Sequence, residues 1–132
     1  MKTKYNLEII EEKDPTVFAI NTNYKAYRLC WYLNKAIGLN FVKSKEHSVS
    51  TEQWFTRYKD SKKNQNQYNL IVNRSKKGYF IPTQKSINFF LIVNDPLAKK
   101  EETDILDKVK KIPEVHIIFK IDEKKYKHRF FI

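Results

Sequence analysis

The stretch Ser86–Asn94 (SINFFLIVN) limits the fold more than any other part of the chain. Alternation places Ile87, Phe89, Leu91 and Val93 on one side of a strand and Phe90 and Ile92 on the other. A strand apolar on both sides has to be covered on both sides, so it belongs at the centre of a sheet. It is followed by Asp95-Pro96 and a segment with helical spacing over about 98–111, whose apolar stripe is Ile105, Leu106 and Val109. Glu101, Glu102 and Asp104 lie early in that helix and Lys108, Lys110 and Lys111 late, the order that complements a helix dipole. Pro113 stops it, and Glu114–Ile121 alternates as a last strand with Val115, Ile117, Phe119 and Ile121 on one face. Strand, helix, strand is the pattern of a crossover connection between parallel strands.

The earlier half supplies the other layers. Tyr5–Ile10 and Val17–Ile20 read as strands around the Asp14-Pro15 turn, an N-terminal hairpin. Asn21-Thr22-Asn23 offers helix N-cap side chains, and Gly38 sits where a C′ glycine closes a helix. Between them Ala26, Leu29, Cys30, Leu33 and Ile37 follow the spacing of a buried stripe. Tyr27 and Trp31 flank that stripe as its core edge or, alternatively, as a stacking platform. Thr51–Lys59 reads as one strand, with Trp54, Thr56 and Tyr58 on one face and Phe55 and Arg57 on the other. Asp60–Gln67 is a polar hairpin loop, Tyr68–Asn73 a strand, Arg74–Gly78 a turn, and Tyr79–Ile81 the return. The expected fold class is α+β: a mostly antiparallel sheet with two helices on one face, in a ferredoxin-like arrangement with an added N-terminal strand. All 132 residues form one domain, and the tail 122–132 docks on it through Phe130, Phe131 and Ile132.

Several residues recur in the pattern of a known family. Tyr27-Arg28-Leu29 with Leu33-Asn34-Lys35 is similar to its helix, and Tyr68–Asn73 to its middle strand. Ile81-Pro82 followed by Ile87-Asn88-Phe89-Phe90-Leu91 resembles the motif IPExxxVDY, with Thr83, Ile87, Asn88 and Phe89 in place of Glu, Val, Asp and Tyr. The resemblance implies a small bacterial cytoplasmic protein without an assigned activity, and it supplies no mechanism. With two acids replaced by neutral residues, neither position can provide an acid, base or metal ligand. Pro82 cannot donate to a ladder and reads as an edge or turn residue.

Recognisable catalytic chemistry is sparse. With only Gly38 and Gly78 present, neither a P-loop nor a GxGxxG turn can be built. His47, His116 and His128 have no ligand spacing, and His116 reads as a partly buried strand residue. The single cysteine, Cys30, falls on the buried stripe, so it reads as a small hydrophobe in a reducing, cytoplasmic setting. Glu11, Glu12 and Asp14 read as a solvated loop. No cofactor, no metal and no membrane span are expected.

Charge is the remaining signal. The formal net charge is +11, and residues 24–95 hold 13 basic against 4 acidic groups. Lysine supplies 22 of the 26 positive charges, and Lys, Asn, Ile, Tyr and Phe together make 64 of the 132 residues, a bias toward A/T-rich codons that needs no polyanion partner. Of the five lysine doublets, two, Lys62-Lys63 and Lys76-Lys77, fall in hairpin turns, where solvated lysines are ordinary. The candidate contact residues for a partner are Lys25, Arg28, Tyr32, Lys35, Arg57, Lys62, Lys63, Lys76 and Lys77. Trp54, Tyr58 and Tyr68 are candidate base platforms. The first functional expectation is a non-enzymatic protein-binding or adaptor module. RNA or ribosome association through a basic face is the alternative, and a small-molecule sensor the third. Whether residues 24–95 form one continuous face decides among them.

Overall fold

A computed structural model describes residues 14–50, 53–62, 67–122 and 124. The N-terminal strand Tyr5–Ile10, Glu11 and Glu12, Lys63, His128 and the aromatic tail expected to dock lie outside these residues. The elements run β1 (Thr16–Thr22), α1 (Ala26–Ile37), β2 (Phe41–Lys43), β3 (His47–Ser50), β4 (Gln53–Phe55), β5 (Arg57–Asp60), β6 (Tyr68–Val72), β7 (Arg74–Ser75), β8 (Gly78–Tyr79), a 3-10 turn (Pro82–Gln84), β9 (Phe89–Val93), α2 (Lys99–Lys110) and β10 (Val115–Lys120). Six strands form one sheet in the order β10-β1-β9-β6-β5-β2, every neighbouring pair antiparallel. The class is α+β, as the sequence predicts.

β9 occupies the centre, and all five of its residues are buried. It and β10 run in the same direction with β1 between them, so α2 makes a split crossover. α1 carries the chain from β1 over β9, β6 and β5 to β2, and β2, β5 and β6 then fold back as a meander. The order β10-β1-β9-β6 is that of a ferredoxin-like sheet. Its extension among the described residues comes from β5 and β2 on the meander side.

Phe18, Ile20, Leu70, Phe89, Leu91, Val93 and Ile118 meet Leu29, Cys30 and Leu33 of α1 and Ile105 and Val109 of α2 in one core, so both helices cover the same face. On the far face Val17, Ala19, Ile71, Phe90 and Ile92 pack with Phe55, Phe80, Ile81, Ile87 and Ile121. Ile87 therefore parts from Phe89: it follows the turn at 85–86 and precedes β9, so strand alternation does not bind it. Pro82 opens the 3-10 turn, as its missing N–H suits.

Three local expectations change. Asn21-Thr22-Asn23 does not cap α1. Lys25 holds the N-cap position without a side-chain bond. Thr22 Oγ instead donates to the Glu114 carbonyl at 2.7 Å and accepts from the Tyr24 N–H at 3.1 Å. Gly38 closes α1 as expected, at φ 71°. The run Thr51–Lys59 is not one strand: it breaks at Thr56, whose carbonyl accepts the Val72 N–H at 3.0 Å. β4 pairs with β3 and β5 with β6, so Phe55 enters the far-face core and Tyr58 the helix side. In β10 a bulge between Val115 and Ile117 advances the alternation by one residue. Val115 and Ile118 face the helices, whereas Ile117 (53 % exposed) and Phe119 (38 %) look outward and His116 is exposed.

Asn73, fully buried just past β6, ties the far side together. Its Nδ2 donates to the carbonyls of Gln84 (2.9 Å) and Ile87 (2.8 Å), and its Oδ1 accepts the Ile81 N–H (2.9 Å). Its main chain bonds Asn88 and Phe80 at 2.9 and 2.7 Å. Replacing Asn73 by Ala strands three polar groups, two of them buried and one partly buried, and is expected to lower stability by on the order of 3 kcal/mol. A urea midpoint unchanged from the parent would contradict this. Ile118→Ala should cost about 2–4 kcal/mol and Ile117→Ala under about 0.5 kcal/mol; equal losses in paired urea melts would contradict the bulged register.

Candidate nucleic-acid interface

The residues following Asn73 form the tight β7–β8 hairpin, closed by Arg74↔Tyr79 and Ser75↔Gly78 pairs. Gly78, at φ 144°, makes its return. Because β7 leaves directly from β6 and Phe80 is buried right after β8, the hairpin is held at its base while its side chains project. Arg74 Nη1 donates to the Tyr79 hydroxyl at 3.2 Å, and the guanidinium lies 5.2 Å from that ring's centre. Lys85 Nζ, from the turn after Pro82, lies 5.7 Å from the same ring. One phenol ring thus sits within cation–π range of two cations.

Two open grooves meet at Arg74. The first, about 470 Å³, is lined by Glu46, Trp54, Thr56, Arg74, Ser75, Lys76 and Lys77. Trp54 projects from β4 and is 49 % exposed. The second, about 430 Å³, runs from Tyr79, Arg74 and Lys85 to Tyr24, Lys25 and Ala26 at the start of α1, over Val72, Ile87, Asn88 and Phe89. None of the residues lining it is acidic. The cations of the hairpin and of the α1 start therefore share one concave surface interleaved with Trp54, Tyr79 and Tyr24. Tyr24 stacks on Tyr32, ring centres 5.0 Å apart, and that hydrogen-bonded neighbour pushes its phenol up to about 12.

Of the contact residues expected from sequence, Lys25, Lys76 and Lys77 line these grooves. Arg28 and Lys35 are exposed on the outer side of α1. Tyr32 is half-buried against Tyr24 and the helix-side core, and lines a shallow groove with Lys35, Lys108 and Lys111. Two others differ from expectation. Arg57 pairs opposite Ile71 on the far face of the sheet; its Nε is buried without a partner, and burial lowers its pKa. Lys62 Nζ donates to the Gly38 carbonyl at 3.1 Å, closing the C-terminal end of α1. Tyr58 and Tyr68 pack against the core, and burial raises both phenols, so neither is a platform. Tyr27 and Trp31 are 67 % and 50 % exposed, so they stand outside the core edge.

Arg74, Tyr79 and Lys85 were not singled out from sequence. For Arg74 and Tyr79 the signal was the closely spaced RSKKGYF run, which puts an arginine and a tyrosine opposite each other as soon as the turn is given two residues; Lys85, outside that run, had none.

Among the described residues no group of three or more His, Cys, Asp or Glu could hold a metal ion, and no helix is long and apolar enough to cross a membrane. No protein-family model matches the chain, and no curated protein matches it.

Cys30 is 5 % exposed, and burial pushes its thiol up to about 12. A raised folded pKa means the native state keeps a proton that the unfolded state sheds, so this contribution is complete below pH 9.0 and fades as pH climbs toward 12. Native protein at pH 8 should leave a disulfide-exchange chromogen untouched, and one thiol should react in guanidinium. Prompt reaction of the native protein would contradict the burial.

Proposed function

We propose that the chain is a non-enzymatic binding protein for single-stranded nucleic acid, RNA in the first instance, and that the two grooves meeting at Arg74 hold the strand. The observation that carries this reading is that Lys25, Arg74 and Lys85 share a groove with Tyr24 and Tyr79 and with no carboxylate. Lysines spread by codon bias alone have no reason to converge around aromatic rings. Single-strand binders combine a cationic track for phosphates with rings on which bases stack, because every base offers a π face whatever its sequence.

In this arrangement Arg74, Lys76 and Lys77 meet phosphates in the first groove, and Lys25 and Lys85 in the second. Trp54 and Tyr79 supply the rings. The guanidinium of Arg74, already bonded to Tyr79, needs little reordering to turn a second N–H toward phosphate. This reading is preferred to the protein-binding adaptor expected from sequence because several cations stand beside aromatic rings in both grooves. A cytoplasmic location, and kinship with the IPExxxVDY-like proteins, belong to the same proposal. The latter rests on Ile81-Pro82 and Ile87-Asn88-Phe89, which bracket the turn held by Asn73.

Anisotropy of a fluorescein-labelled 12-mer of oligouridylate tests the reading. Binding should weaken with salt, with a log–log slope of about −0.7 for each phosphate neutralised, so about −3.5 if all five cations engage. The Arg74→Glu/Lys85→Glu pair, both exposed, should abolish binding at moderate salt without lowering the melting temperature. No binding at low salt, or binding indifferent to salt, overturns the proposal. Polyglutamate competing as well as RNA at equal charge would reassign the grooves to an acidic protein segment.

A further inference from the structure

The second groove ends at Lys25 and Ala26, the N-cap and first residue of α1, and the next residue, Tyr27, stands on the outer side of that helix. We propose that the outer side of α1 extends the single-strand track, with Tyr27 and Trp31 stacking on successive bases and Arg28 and Lys35 meeting the phosphates between them. This rests on the reading of the two grooves and adds a separate site to it.

The spacing carries the argument. Tyr27, Trp31 and Lys35 recur every four residues, and Arg28 lies beside Tyr27 and three before Trp31, so the four side chains form one stripe. The buried stripe of Leu29, Cys30 and Leu33 occupies the opposite side. Four residues rise about 6 Å along a helix, which is comparable to the separation of neighbouring bases in an extended strand. The two rings are thus set at the step of the ligand.

The rings are also exposed and held. Tyr27 and Trp31 are 67 % and 50 % exposed, the two largest exposures among the described Phe, Tyr and Trp residues, with Trp54 next at 49 %. Lys35 Nζ sits 4.3 Å from the centre of the Trp31 ring, and the Tyr32 ring meets it edge-on at 4.9 Å. The indole is therefore held from two sides while half of its residue still faces solvent, which lowers the entropy lost when a base lands on it. Tyr27, Arg28 and Trp31 line a shallow cavity of about 270 Å³, larger than a nucleobase. No acidic residue occurs anywhere in α1, so nothing on the stripe opposes a phosphate.

The chain's two tryptophans divide the test between the two sites, since Trp54 lies in the first groove and Trp31 on α1. Trp54→Phe leaves Trp31 as the emitter, and Trp31→Phe leaves Trp54. Titration with the oligouridylate 12-mer should quench both variants by half or more, each reversed by salt. Arg28→Ala/Lys35→Ala should weaken the 12-mer about tenfold while the far-ultraviolet dichroism stays that of the parent. Quenching of Trp54 with an unchanged Trp31 would overturn the α1 track and leave the grooves standing. Silence of both emitters at low salt would remove both readings. Quenching of Trp31 by polyglutamate and not by the 12-mer would give α1 to an acidic protein segment and overturn the proposal.

Discussion

The buried amide of Asn73 is the interaction on which the far half of the molecule depends. Segment 80–88 has to cross the sheet between β8 and β9 without a helix or a long strand to absorb its main-chain polar groups. Asn73 absorbs three of them with one side chain, two carbonyls on Nδ2 and one N–H on Oδ1. An isolated buried amide is costly, but a saturated one specifies a single arrangement. Its consequence is positional: with Phe80 and Ile81 pinned beneath the sheet and Asn73 at the end of β6, the intervening hairpin has a fixed base. Arg74 and Tyr79 leave that base side by side. The grooves exist where they do because a polar residue, and not an apolar one, sits at the end of β6.

The same logic separates what could be read in the sequence from what could not. β9 was legible because burial on both faces leaves only one place for a strand in a layered fold. α1 and α2 were legible because their apolar stripes and their ends, Gly38 and Pro113, agree. The errors fall where one residue changes the geometry. A period-two reading carries Val115, Ile117 and Phe119 to one face until the bulge at His116 inserts an extra residue, after which Ile118 takes the inward place. The run from Gln53 to Lys59 alternates without interruption, yet Thr56 turns its carbonyl to β6 and divides it between two sheets. Asn21-Thr22-Asn23 has the composition of a cap, but those residues are needed at the end of β1, where Thr22 and Asn23 hold the turn at Glu114. The Glu114 main chain, at φ 65°, is tolerated because its carbonyl takes the Thr22 hydroxyl.

The candidate site was only half legible, for a different reason. Charge identifies which residues are cationic and says nothing about what they are used for locally. Lys62 bonds the carbonyl left open by Gly38, and Arg57 is drawn under the sheet by the parity of β5. Aromatic residues mislead in the opposite direction: Tyr58 and Tyr68 belong to the core, while Tyr27 and Trp31 stand outside it. No hydropathy scale separates these four, because a tyrosine or tryptophan is apolar in body and polar at one tip and suits either place. The helical phase does separate them on α1, where positions 27, 31 and 35 lie opposite 29, 30 and 33.

The net charge of +11 then takes on a definite physical meaning. Positive groups gathered in a groove repel one another, and the second groove, unlike the first with its Glu46, has no carboxylate in its lining to relieve that repulsion. Scattered over a convex surface, the same lysines would be screened within about a Debye length of water and salt. Arg74 and Lys85 are instead both brought within cation–π range of one tyrosine ring, whose π face offsets part of the cost while leaving both cations short of a full counter-charge. An anion that enters between them gains what the fold withholds, and by linkage it returns that gain as stability of the folded chain. Converging cations, and not their number, are therefore what the proposed polyanion ligand rests on.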